Sequence, residues 1–265
     1  NDHQDYPKLK LLDYPMKYHT LGKSTLAVSE VAMGCMSLKA GQPETHKVIE
    51  KAIDYGVNFF DTADLYEFGL NEELLARAIG AKRQDLVIAT KVGNEWTPGK
   101  DGWHWNPSKD YILKAAEASL RRLNTDYIDL YQLHGGTIED PIDETIEAFE
   151  LLKQQGKIRE YGISSIRPNV IREYVKRSNI VSVMMQYSLL DRRPEAACLD
   201  LLAKAGISVI TRGTLAKGLL VEKPAAEYLG HTTAEVEKAQ EAVNAISNQN
   251  KIGKAAVATA YVLAT

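Results

Sequence analysis

Cysteine is scarce in this chain: among 265 residues only Cys35 and Cys198 occur, far apart and in no Cys-x-x-Cys pair. Neither a disulfide framework nor a metal site is expected, and a reducing, cytoplasmic setting fits best. Long apolar runs are also missing, with nothing near the roughly 20 residues of a membrane span and no signal-peptide core in Asn1-Asp2-His3-Gln4-Asp5, so no membrane partner is expected. Charge of one sign is lacking too. Its 32 basic and 35 acidic residues leave a formal net charge of −3, too weak a positive field to hold a nucleic acid. Finally, no Gly-x-Gly-x-x-Gly follows the first strand candidate, which argues against a doubly wound dinucleotide fold.

What is present is an alternation of short apolar strands and longer amphipathic helices. After a polar leader (1–14), Met16–Leu21 and Thr25–Ser29 flank Gly22-Lys23-Ser24 and predict a hairpin (15–30) that caps one end of the repeating units. Strands are then expected at Val31–Gly34, Val57–Asp61, Leu86–Thr90, Tyr127–Leu133, Ile158–Ile163, Ile180–Met185 and Ile207–Thr211. Helices lie between them, starting at Pro43, Asn71, Ser108, Pro141, Pro168 and Pro194 and several ending at glycine. Strands spaced this way by helices imply an α/β fold with a parallel sheet covered on its outer face. The reading is one domain over 1–265, a (β/α)8 TIM barrel whose units fill 31–265. Its last β/α unit is not visible: Thr233–Ser247 and Ile252–Leu263 read as helices. Either the eighth strand lies beyond Thr265 or the barrel closes unusually.

In such barrels chemistry gathers where strands end. Asp61, Tyr66, Lys91 and His134 all fall at the ends of three successive strands or in the loops after them. A phenol is too weak an acid to serve unless its phenolate is stabilised. A lysine beside it supplies that stabilisation, and a carboxylate keeps the lysine charged and in place. Asp61 and Lys91 would form the pair, Tyr66 would donate the proton, and His134 would hold the substrate oxygen in register. Taken singly, each has an ordinary alternative: a loop cap for Asp61, packing for Tyr66, a structural lysine, a turn histidine. Their common placement favours carbonyl protonation coupled to hydride arrival.

The segments Val57-Asn58-Phe59-Phe60-Asp61-Thr62-Ala63-Asp64-Leu65-Tyr66, Ala89-Thr90-Lys91-Val92, Asp126-Tyr127-Ile128-Asp129-Leu130-Tyr131-Gln132-Leu133-His134 and Tyr161-Gly162-Ile163-Ser164-Ser165, in that order, resemble the aldo-keto reductases from about Met16 onward. The resemblance implies NADPH-dependent reduction of small aldehydes or ketones, with NADH left open, by the tetrad Asp61, Tyr66, Lys91 and His134. It also implies a cofactor channel lined by Cys35, Met36 and Asp61, a nicotinamide carboxamide held by Ser164, Ser165 and Gln186, and a pyrophosphate loop at Arg212, Gly213, Thr214, Leu215, Lys217 and Gly218. Arg212 stands where many members place a stacking aromatic. The Gly-rich turn and basic residue for an adenosine 2′-phosphate do not appear in this sequence. A monomer or weak homo-oligomer is expected. Trp96, Trp103 and Trp105, in the loop from Gly93 to Asn106, would either wall the substrate bowl or pack that loop onto the rim. Two other readings stay open: a nucleotide-sensing binding subunit of the same fold without turnover, and an unrelated barrel lyase or isomerase using the lysine and histidine.

Overall fold

The computed structural model describes residues 15–264 except Ala40 and Pro43. The polar leader, the proline expected to open the first helix, and Thr265 lie outside the described residues. A hairpin of β1 (Tyr18–Thr20) and β2 (Ala27–Ser29) is followed by β3 (Met33–Gly34), α1 (Glu44–Asp54), β4 (Phe59–Asp61), α2 (Leu70–Ile79) and β5 (Val87–Val92). Then come β6 (Asn94–Glu95), β7 (His104–Trp105), α3 (Lys109–Leu123), β8 (Ile128–Leu133), α4 (Ile142–Gln154), β9 (Ile158–Ser164) and α5 (Pro168–Arg177). The chain continues with β10 (Ser182–Gln186), α6 (Arg193–Ala197), α7 (Leu199–Ala205), β11 (Ser208–Arg212), α8 (Thr233–Asn250) and α9 (Lys254–Leu263).

Seven strands form one sheet in the order β11-β10-β9-β8-β5-β4-β3, every neighbouring pair parallel. All six residues of β5 and of β8 are buried, as expected where helices cover one face and the interior the other. The expected closed barrel is corrected here to an open one: among the described residues β3 and β11 do not pair, and helices rather than a strand come after β11. The sheet nevertheless curls. Phe59 of β4 and Ile210 of β11, five strands apart, share one buried cluster with Val87, Ala89, Leu130 and Met184.

The hairpin plugs the end where the strands begin. Its Leu21, Leu26 and Val28 enter that same cluster. The Ser29 N–H donates to Asn58 Oδ1 at 2.7 Å, just before β4, and the Gly22 N–H to Ser208 Oγ at 2.7 Å, on β11. Gly22 has φ +55°, and a Cβ there would lie 2.2 Å from the Val181 carbonyl oxygen, so the turn requires glycine. The two sides of the open sheet are thereby tied together at their base, leaving the opposite end, where strands finish, for chemistry.

The helix expected from Pro194 to Lys204 is divided at Cys198 (φ −115°, ψ −46°), which ends α6 and precedes α7 while its N–H still reaches the Pro194 carbonyl. The region 93–106 is not a plain loop, because β6 and β7 pair antiparallel as a two-residue ribbon. A separate apolar cluster of Leu190, Leu219, Leu220, Val236, Val243 and Val257 seats α8 and α9. Among the described residues no helix is long and apolar enough to cross a membrane, and no group of three or more His, Cys, Asp or Glu could hold a metal ion.

Candidate active site

Alternation along β4, β5 and β8 sends Phe59, Val87, Ala89 and Leu130 into the interior cluster. The same alternation carries Asp61, Lys91 and Gln132, two residues further on, to its upper rim. Register completes the placement, with Asp61 opposite Ala89 and Lys91 opposite Gln132. His134 comes just after β8, its N–H donating to the Val92 carbonyl at 2.7 Å.

Lys91 is 1% exposed, and each proton of its ammonium has an acceptor: Asp61 Oδ2 at 2.6 Å, the Thr62 carbonyl at 2.7 Å and the Tyr66 hydroxyl oxygen at 3.3 Å. A lysine has three donors and no acceptor, so Tyr66 receives from Lys91 and keeps its own proton to give elsewhere. Burial alone would lower the Lys91 pKa, but Asp61 and then Tyr66 outweigh it and hold the pKa above its ordinary value. The ammonium is therefore charged wherever Tyr66 has work to do. Gln132 Nε2 donates to the second Asp61 oxygen at 3.1 Å and so turns the first toward the lysine.

The His134 ring meets Tyr66 edge-on, with centroids 5.9 Å apart at 82°. Burial, then the Lys91 charge, then the Arg212 charge push its pKa down to about 3, so it is a neutral donor at working pH. Its Nδ1 is buried without a partner. Because the folded pKa lies below the unfolded value, stability is complete above about pH 6.5 and is lost as pH falls toward 3, by about 1.4 kcal/mol per unit. Urea titrations of parent and His134→Gln across pH 3–7 should therefore converge as pH falls; parallel curves would contradict a neutral, buried imidazole.

Asp64 lies in the same loop, 1% exposed, with Oδ1 buried and lacking a partner. Burial, followed by the nearby Glu72 carboxylate, raises its pKa to about 8, against the counter-pull of Arg122. A carboxyl whose folded pKa is raised is fully accommodated below pH 3.8 and loses stability as pH climbs to about 8. Asp64→Asn should therefore raise the thermal midpoint, by a margin that widens from pH 4 to 8 and then levels. An equal shift at every pH would exclude a protonated Asp64.

The remaining candidates lie at or after the C-terminal ends of β3, β9, β10 and β11, the same end of the sheet. Cys35 is fully buried, its N–H bonded to the Asp61 carbonyl at 2.8 Å, its own carbonyl taken by Asn71, and its thiol raised to about 12 by burial and then by Asp61. Met36 is 64% exposed, so of that pair it alone presents its side chain outward. Ser165 is buried and Ser164 half-buried. Gln186 accepts from Arg212 at 3.1 Å and donates to the Tyr228 hydroxyl at 2.8 Å. Gly213 and Gly218 have φ of +71° and +92°, and between them Lys217 (φ +56°) is exposed.

Of the three tryptophans, Trp96 donates to the Asp64 carbonyl at 3.0 Å and Trp105 to Asp140 at 3.0 Å, packing the ribbon to the rim; only Trp103 is exposed. Clefts elsewhere, one lined by Glu117, Arg121 and Lys157 and one by Lys23, Lys153 and Glu160, contain none of the tetrad. Sequence reading misses Gln132, although its position two before His134 puts it on the same strand face. It also misses Tyr228, which sits beside a tight Leu229-Gly230 turn and has no motif to mark it.

Residues 30–265, which contain this parallel, helix-covered sheet, match one family model, Aldo/keto reductase family. The chain belongs to the aldo/keto reductase family. It is 56% identical over 241 residues to the uncharacterized oxidoreductase YqkF of Bacillus subtilis (strain 168), covering 88% of this chain and 78% of that one. To the aldo-keto reductase YhdN of the same organism it is 31% identical, covering 80% of this chain and 66% of the relative. Among solved structures, the holo form of aldo-keto reductase AKR11C1 from Bacillus halodurans superposes with a TM-score of 0.83 at 57% identity, over 85% of this chain and 76% of that one.

Proposed function

We propose that the protein reduces aldehydes or ketones to alcohols with a nicotinamide cofactor, NADPH first and NADH as the alternative, and that Tyr66 delivers the proton. Family membership supports an oxidoreductase working between carbonyl and alcohol groups, and relatives named as oxidoreductases and aldo-keto reductases agree. The observation that carries the finer reading is the saturation of Lys91. With all three donors engaged, one on the Tyr66 oxygen, the phenol hydrogen is free to turn to a substrate oxygen, and the developing phenolate faces a fixed cation.

The residues around this centre fit the cofactor. The Gln186 amide accepts from Arg212 and donates to Tyr228, and Ser164 and Ser165 carry hydroxyls at the end of the neighbouring strand β9; side chains of these kinds match the donor and acceptor of a carboxamide. The turn from Gly213 to Gly218, with its positive φ values and exposed Lys217, suits a pyrophosphate approached by backbone N–H groups. When bound, a reduced nicotinamide supplies the hydride. The chain's own part is to orient the carbonyl through the neutral His134 donor and to hold the proton on Tyr66 Oη until it is needed.

Purified protein mixed with NADPH, and separately with NADH, should deplete absorbance at the reduced-nicotinamide band when small or aromatic aldehydes are added. No depletion with either cofactor across an aldehyde and ketone panel would favour the nucleotide-sensing binding subunit instead.

A further inference from the structure

Tyr66 opens a turn with an unusual backbone. Glu67 and Phe68, neither of them glycine, adopt left-handed conformations in succession, at φ/ψ 48°/35° and 51°/49°. Such conformations are strained for residues that carry a Cβ and persist where surroundings over-determine them. Those surroundings come from the rim segment just after β6 and from α3. Phe68 meets Trp96 edge-on at 5.6 Å, and the Trp96 N–H is anchored to the Asp64 carbonyl. The Arg122 guanidinium, from α3, lies 5.9 Å from the Trp96 ring centre. Its aliphatic stem fills the hollow left by Gly69, the last residue of the turn, where an added Cβ would sit 2.7 Å from Arg122 Cδ.

Arg122 is itself fixed. Its Nε donates to Glu72 Oε2 at 2.6 Å and its Nη2 to Ser119 Oγ at 3.2 Å. Glu72, wholly buried on α2, uses its other oxygen to accept from Thr90 at 2.6 Å, and Thr90 immediately precedes Lys91 on β5. One carboxylate thus ties the strand that carries the lysine to the guanidinium that backs the tyrosine turn.

We propose that Glu72 and Arg122 are positioning residues that set the contact between Tyr66 and Lys91 while touching neither substrate nor cofactor themselves. The proposal rests on the reading of Tyr66 as proton donor. Removing one partner would leave the other charge buried and threaten folding, so the main test is the charge-neutral double variant Glu72→Gln/Arg122→Met. Its kcat for aldehyde reduction should fall about 10²-fold, the effect of displacing a reacting group by about 1 Å. KM and cofactor Kd should stay within about threefold, because binding groups are untouched. Its crystal structure should show the Tyr66 Oη to Lys91 Nζ separation beyond 3.3 Å. Parental kcat in the folded double variant, or an unchanged separation, would overturn the proposal.

Should the double variant fail to fold, Arg122→Lys retains the ion pair but not the planar surface against Trp96. It should keep the parental thermal midpoint and lose about tenfold in kcat, and parental kcat would again overturn the idea. If the parent itself reduces no carbonyl compound, the reading of function has failed. The crystallographic separation then decides the positioning claim alone.

Discussion

Replacing Tyr66 by Phe should lower kcat for aldehyde reduction by about 10²–10⁴-fold while cofactor Kd stays within about twofold. The hydroxyl is the only group removed, and general-acid contributions fall in that range. The ring packing against His134, at 5.9 Å and edge-on, is unaffected by the change, so binding geometry is retained. Steady-state rates paired with a fluorescence titration of cofactor would check both halves. A Phe variant with undiminished turnover would move the proton source to another residue, and loss of cofactor binding in parallel would mean that the phenol builds the site rather than acting in it.

The second large effect is on stability. Lys91 is 1% exposed, and its charge is held chiefly by Asp61 at 2.6 Å, with Gln132 fixing the other carboxylate oxygen. Asp61→Leu would strand a buried cation and leave the Gln132 amide without its acceptor. A destabilisation of about 3–5 kcal/mol is expected, read as a lower urea midpoint. The sign of its pH dependence is set by Lys91. Its folded pKa is raised, so the pair's contribution is present below the unfolded lysine pKa, about 10.4, and is lost as pH rises through the folded one. The gap between parent and variant should accordingly narrow in strongly alkaline urea titrations. A variant as stable as the parent at pH 7 would mean that the pair is not what keeps the ammonium charged.

Much of this site is legible in the sequence, because its residues sit at strand ends and strand ends are easily found in an alternating pattern. Val57–Asp61 and Tyr127–Leu133 are apolar enough to mark β4 and β8, and they fix the positions of Asp61 and His134. Less visible are groups whose role depends on a neighbour in space. Gln132 reads as a polar residue inside an apolar strand until Lys91 is seen opposite it across the sheet. Glu72 and Arg122 read as ordinary exposed helix charges, since nothing in a helical pattern says that a pair 50 residues apart will be buried together. The two-residue ribbon of β6 and β7 carries no periodicity, and so Gly93–Asn106 reads as a loop. Openness of the sheet shows in part as the absence of an eighth strand pattern, whereas the tie at its base from Gly22 to Ser208 leaves no trace in the sequence.

Isotope tracing tests the central claim most directly. With reduced nicotinamide deuterated at its transferable position, an aldehyde and ordinary water, every alcohol molecule formed should carry one deuterium on carbon, matched one for one by oxidised cofactor. In deuterated water with unlabelled cofactor, no deuterium should appear on that carbon. Solvent deuterium on carbon, or product formed without oxidation of nicotinamide, would contradict a reductase and point to lysine and histidine proton transfer in a lyase or isomerase.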